Sequence, residues 1–142
     1  MNAAERWEKL VALDDEFLAG GVVLSEWCCV IVRDTDLAFA NGANLSAVLM
    51  AVAAVETYFR AEDLMGIKHR LVELINSAAI DDELKADLHT LRRYRNKWVH
   101  VDEPLDDISI LQNPESLCGE LEQMALFAVR ALRKVIYSAQ CV

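Results

Sequence analysis

Residues 92–100 read "RRYRNKWVH" and gather Arg92, Arg93, Arg95 and Lys97 with Tyr94, Trp98, Asn96 and a closing His100. These types suit phosphate chemistry. Histidine titrates near neutral pH and can move a proton. Arginine keeps its charge and can grip two phosphate oxygens while negative charge builds on them. An RNA phosphodiester brings its own nucleophile, the 2′-hydroxyl, so Arg95 and His100 require no metal beside them. Asn96 can donate to phosphate or cap the helix end. Arg92, Arg93 and Lys97 can hold an RNA backbone, and Tyr94 or Trp98 can stack a base. Each also has a plainer reading: a solvated helix face for the cations, core or dimer packing for the aromatic pair, a helix-end histidine for His100.

The surrounding chain has the opposite sign, with formal net charge -9 over 142 residues. That balance argues against a general nucleic-acid coat protein, leaves room for a local basic site and suits a basic partner. A chain of this length, 54% hydrophobic and without a Pro-, Gly- or Ser-rich linker, is expected to form one domain over residues 1–142. Residues 1–13 carry Glu5, Arg6, Glu8 and Lys9 in place of a signal peptide's apolar stretch. The longest apolar run, "AVLMAVAAV" at 47–55, is too short to span a bilayer. A soluble, cytoplasmic protein with no membrane segment is therefore expected. Cys28, Cys29, Cys118 and Cys141 have no CxxC spacing and read as small buried or free thiols.

To position the motif, the sequence predicts an all-α, up-and-down bundle of about five helices. A first helix over about 3–18 places Trp7, Leu10, Val11, Asp14, Phe17 and Leu18 on one stripe, with Gly20 and Gly21 as its stop. Residues 22–40 are rich in β-branched side chains yet lack a partner strand, so they are read as helix up to Asn41 and Gly42. The next helix, about 43–63, is apolar nearly all round and should be central, with Leu45, Val48, Leu49, Val52, Val55 and Phe59 on one face. A short helix at about 67–77 precedes the motif helix, about 82–99, which Asp81 and Asp82 cap. After an acidic loop, Asn113 and Pro114 start a last helix with a stripe of Leu117, Leu121, Met124, Phe127 or Ala128, Ala131 and Val135.

Within the motif helix, Leu84, Leu88, Leu91, Arg95 and Trp98 keep the four–three spacing of a core seam, so Arg95 stands where a leucine is expected. Glu56 does the same in the central helix. A buried charge needs a partner. Either Glu56 and Arg95 meet, or Glu56 pairs locally with Arg60 at i,i+4; both can hold. Arg95 and His100 would lie roughly 140° apart on an unbroken helix. They can share a site if the helix ends near Val99, or if two copies meet about a two-fold axis.

On "RNKWVH" the sequence resembles the HEPN superfamily (higher eukaryotes and prokaryotes nucleotide-binding), whose mark is an arginine, a following polar residue and a histidine four to six residues beyond: here Arg95, Asn96 and His100. "AAVETYFR" at 53–60 resembles the glutamate-bearing inner helix of several HEPN groups, which places Glu56 in support. The resemblance implies a homodimer whose two motifs line a cleft. It also implies a metal-independent endoribonuclease without cofactor, with RNA as substrate, common as a toxin with an antitoxin partner and in antiviral defence. Other members keep the fold and bind nucleotide, nucleic acid or a protein partner without cutting. Elsewhere, His69 and His89 lack metal-ligand spacing and read as surface residues, and Asp102, Glu103, Asp106 and Asp107 read as a solvated loop.

Overall fold

Capping residues set the helix boundaries in the computed structural model, which describes residues 1–62, 69–105 and 108–141. The described helices are α1 (Ala3–Phe17), α2 (Glu26–Ala40), α3 (Asn44–Glu62), α4 (Leu71–Ser77), α5 (Asp82–Val99), α6 (Ser109–Gln112) and α7 (Pro114–Ile136). The chain is an all-α bundle; α1, α2, α3, α5 and α7 are its long members. Asn2 and Glu5 close a capping box before α1, with bonds of 2.9 and 2.7 Å. Ser25 caps α2, Asp81 caps α5 through a 2.7 Å bond from the Leu84 N–H, and Asn113 caps α7 ahead of Pro114. Gly42, at φ 79°, makes the left-handed turn between α2 and α3.

Some boundaries differ from expectation. Gly20 and Gly21 do not stop α1, which already ends at Phe17. α2 begins at Glu26 and not at residue 22, because Gly21 pairs with Cys141 in an isolated antiparallel bridge of two 2.8 Å bonds. That bridge holds the preceding segment outside the helix until Ser25 can cap it. The expected start of α4 near residue 67 lies outside the described residues, as do Asp106 and Asp107. The acidic loop carries the short α6.

α3 and α7 pack on each other at the centre. α2 packs on both from one side and α5 on both from the other, with no α2–α5 contact among the described residues. α1 covers α2 and α7, and α4 covers α3 and α5. The central helix turns a different face inward than its large residues suggested. Ala47, Ala51 and Ala54 are buried beside Val48, Val52 and Val55, while Leu45 and Leu49 are only half-buried. Small side chains let the neighbouring backbones approach, and the leucines fill the rim. In α7 the core residues are Ala125, Ala128, Val129, Ala131, Leu132, Val135 and Ile136; Leu117 and Leu121 are half-buried.

α1 is rotated relative to the expected stripe. Trp7, Val11 and Leu18 are exposed, whereas Arg6, Leu10 and Leu13 are buried. Two buried arginines account for this. Arg6, 3% exposed, donates to the Phe39 carbonyl (3.0 Å), Asn44 Oδ1 (2.8 Å) and Glu122 Oε2 (2.9 Å), with its guanidinium 5.0 Å from the Phe39 ring centre. Arg133, 2% exposed, donates from Nη1 and Nη2 to both oxygens of Asp36 (3.0 and 2.9 Å) and from Nε to Asp14 (2.9 Å). The Tyr137 hydroxyl donates to the same Asp14 oxygen at 2.7 Å. Burial by itself pushes the Arg133 pKa down, but the hydrogen bonds and charges of Asp36 and Asp14 outweigh it and raise the value.

Removing Arg133 strands two carboxylates between helices. Arg133→Ala is expected to destabilise the fold by about 3–5 kcal/mol, measured by denaturant unfolding. Burial, then the Asp14 carboxylate, pushes Tyr137 up to about 12. The folded state thus keeps a proton that the unfolded chain releases near its ordinary value of 10. The stability this contributes is complete below pH 10 and is lost as pH rises towards 12. Tyr137→Phe should flatten that limb of the stability profile; an unchanged slope would show that other groups carry it.

Candidate functional site

α5 places the motif at its C-terminal end. Leu84, Leu88 and Leu91 are buried as the seam predicts, but burial fades along the helix, and Arg95 and Trp98 are half-buried. Arg95 therefore lies at the edge of the core and not within it. Its Nε donates to Asn96 Oδ1 at 2.9 Å, its one hydrogen bond among the described residues, so the two terminal nitrogens are left for another acceptor. Asn96 thus holds the guanidinium and does not cap the helix with its side chain.

The helix ends at Val99. His100 is its C-cap, with φ −128° and ψ 61°, and its N–H still donates to the Asn96 carbonyl at 3.0 Å. The chain leaves the helix there and the His100 side chain is exposed. Within one copy no hydrogen bond among the described residues joins His100 to Arg95.

Glu56 does not meet Arg95. It accepts from Arg60 at 2.6 Å, with side-chain exposures of 27% and 43%, so the local pair forms alone. Glu56 turns to the rim of α3, although Tyr58 and Phe59 beyond it are buried, and Arg95 lies past Leu91, the last buried residue of α5, so each charge can reach water. Arg93 and Lys97 are exposed and Arg92 is half-buried. Lys97 Nζ lies 5.5 Å from the Tyr94 ring centre and 5.8 Å from that of Trp98, and the two rings meet edge to face at 6.5 Å. Arg92, Arg93, Arg95 and Lys97 are thus brought to one end of one helix, while Glu56 stays apart with Arg60.

His89 is not a free surface residue. It is half-buried, with Nε2 2.8 Å from Asn76 Oδ1, and Lys85 Nζ donates to the Asn76 carbonyl at 2.8 Å, so the two clip α4 to α5. Burial first, then the charges of Arg92 and Arg93, lowers the His89 pKa. His69 is likewise half-buried, against a cavity between α3 and α4.

Among the described residues, the buried side-chain nitrogens and oxygens without a hydrogen-bond partner are His89 Nδ1, Arg92 Nε, Tyr94 Oη and Trp98 Nε1, all on α5. Burial raises the Tyr94 pKa, the neighbouring Trp98 N–H works against the rise and the nearby Glu120 carboxylate adds to it, so Tyr94 Oη lies close to both groups although neither meets hydrogen-bond geometry. Beside Trp98 a cavity of about 430 Å³ opens between the end of α5, the following loop and the start of α7. Around it Val99, Val101, Leu105 and Ile108 are exposed. A second exposed apolar strip, including Val23 and Trp27, lies on the far side at α2.

Among the described residues, no group of three or more His, Cys, Asp or Glu side chains is gathered for a metal ion, and no helix is long and apolar enough to cross a membrane. Cys28 is buried, and Cys29, Cys118 and Cys141 are exposed free thiols. Compared with known proteins, the chain matches no family model, no curated protein and no solved structure.

Because Glu56–Arg60 is a partly exposed i,i+4 pair, Glu56→Ala is expected to cost about 0.5 kcal/mol or less in stability. Its effect should add to that of Arg95→Ala in a double-mutant cycle. A coupling well above that size would mean that Glu56 and Arg95 interact after all.

Proposed function

We propose that the protein is a metal-independent endoribonuclease of HEPN type, acting as a cytoplasmic homodimer and as the toxin of a toxin–antitoxin or antiviral defence system. The observation that carries the reading is the end of α5. Arg95 is held by Asn96 with its terminal nitrogens unengaged among the described residues, and five positions on His100 leaves the helix into solvent. The exposed Val99, Val101, Leu105 and Ile108 beside the motif supply apolar surface for a second copy.

In the proposed reaction the 2′-oxygen attacks phosphorus and the bond to the 5′-oxygen breaks. A 2′,3′-cyclic phosphate and a free 5′-hydroxyl result. One His100 takes the 2′ proton, and the His100 of the second copy protonates the departing 5′-oxygen. Arg95 stabilises the charge on the non-bridging oxygens. Arg92, Arg93 and Lys97 supply the local positive field that draws RNA to an otherwise acidic surface.

A second reading is a non-catalytic HEPN-type module that binds nucleotide, nucleic acid or a protein partner. The net charge of -9 favours it, as do Asp102 and Glu103, two and three positions after His100, which repel an RNA backbone.

His100→Ala and Arg95→Ala are each expected to lower RNA cleavage by at least about a hundredfold, with cyclic-phosphate ends on the wild-type products. RNA lacking 2′-hydroxyls should not be cut, and chelators should leave the rate unchanged. His69→Ala should be silent. Purified dimer that cuts no RNA would leave the binding module as the reading. Cleavage that persists in His100→Ala would place the activity elsewhere. Sedimentation should give a dimer mass at micromolar concentration, and Val101→Asp should shift it towards the monomer.

A further inference from the structure

We infer that the cavity beside Trp98 seats a guanine base of the RNA next to the scissile phosphate; this rests on the ribonuclease reading above. Two of the six residues of "RNKWVH", Lys97 and Trp98, line the cavity, which puts it at the same end of α5 as Arg95 and His100 without either of them in its wall. At about 430 Å³ it exceeds the volume of a nucleobase and leaves room for the attached sugar. Trp98 provides an aromatic wall, and stacking on such a wall is available to any unpaired base.

The charged groups narrow the choice, since Asn113 and Ser116, which also line the cavity, can each donate or accept. Glu120, from α7, brings a carboxylate, which accepts from adjacent N–H groups and donates nothing. Lys97 brings an ammonium, which only donates. Guanine carries both complements: N1–H and N2–H as paired donors for a carboxylate, and O6 and N7 as acceptors for a cation. Adenine turns its N1 lone pair towards the carboxylate, and uracil and cytosine lack the paired donors together with a second ring. The same charges set the direction of binding. The carboxylate side repels the phosphate, which is left to the basic end of α5.

The test is calorimetric titration of guanosine 3′-monophosphate and its adenosine, cytidine and uridine counterparts into the full-length protein. The guanosine nucleotide should bind about tenfold more tightly than the others. Trp98→Ala should weaken binding on the order of tenfold, while Trp98→Phe, which keeps the stacking face, should retain it. Glu120→Gln should remove the preference for guanosine and keep residual binding. Equal affinity for all four nucleotides, or wild-type affinity in a folded Trp98→Ala, overturns the inference. Sequencing of cut ends separates the two levels. Cuts without a preference for guanosine overturn the base site and leave the ribonuclease standing. Selective guanosine binding with no cleavage upholds the cavity and removes the ribonuclease.

Discussion

The fold depends on a guanidinium buried among three helices. Arg133 of α7 binds both oxygens of Asp36 on α2 and one of Asp14 on α1, and Tyr137 binds that same Asp14. Each of these groups would be expensive to bury alone, and together they satisfy one another. The set fixes the rotation of α1, which in turn buries Leu10 and Leu13 and turns Trp7 and Val11 to solvent. Arg6, tied to Phe39, Asn44 and Glu122, fixes the same helix nearer its other end.

This arrangement divides the molecule. The buried ion network lies on the α1–α2 side of the central α3–α7 pair, and the motif helix lies on the other. On the network side the Arg133 charges are paired at under 3.1 Å, although Trp7, Val23 and Trp27 stay exposed there. The motif side is left open. It holds the unpartnered buried atoms on α5, the cavity beside Trp98 and the exposed apolar residues after Val99. A side whose buried charges are satisfied thus backs a side that still holds buried polar atoms without partners.

The motif helix shows why residue types and their geometry have to be read together. Arg95 and His100 are five apart, which an unbroken helix turns to different faces. Ending the helix at Val99 releases His100 from that constraint, and the Asn96 side chain restrains Arg95 in place. Asn96 therefore acts through Arg95. Lys97 and the Tyr94–Trp98 pair stack into one cluster that joins the basic end of α5 to the cavity.

The sequence by itself determined the all-α class, the limits of α5, the caps at Asp81 and Asn113 and the turn at Gly42. All of these are local, since they depend on side chains within a few residues of the backbone they satisfy. It also located the motif, whose residues are contiguous. Tertiary structure decided which charges are buried. A rule that looks for an arginine at core spacing fits Arg6, which leads Leu10 and Leu13 at four and seven, as well as it fits Arg95. At Arg95 that spacing reaches only the rim of the core; Arg6 and Arg133 are the buried ones, held by Glu122, Asp36 and Asp14 from distant helices, while Arg130, paired with Glu16 of α1, stays half-buried. Glu56 stays with Arg60 because no longer-range partner reaches it. The inward face of α3 was settled by how closely α2 and α7 approach, which favours alanines over the larger leucines. The cavity beside Trp98 exists only where the end of α5 meets the start of α7, so no single stretch of the sequence contains it.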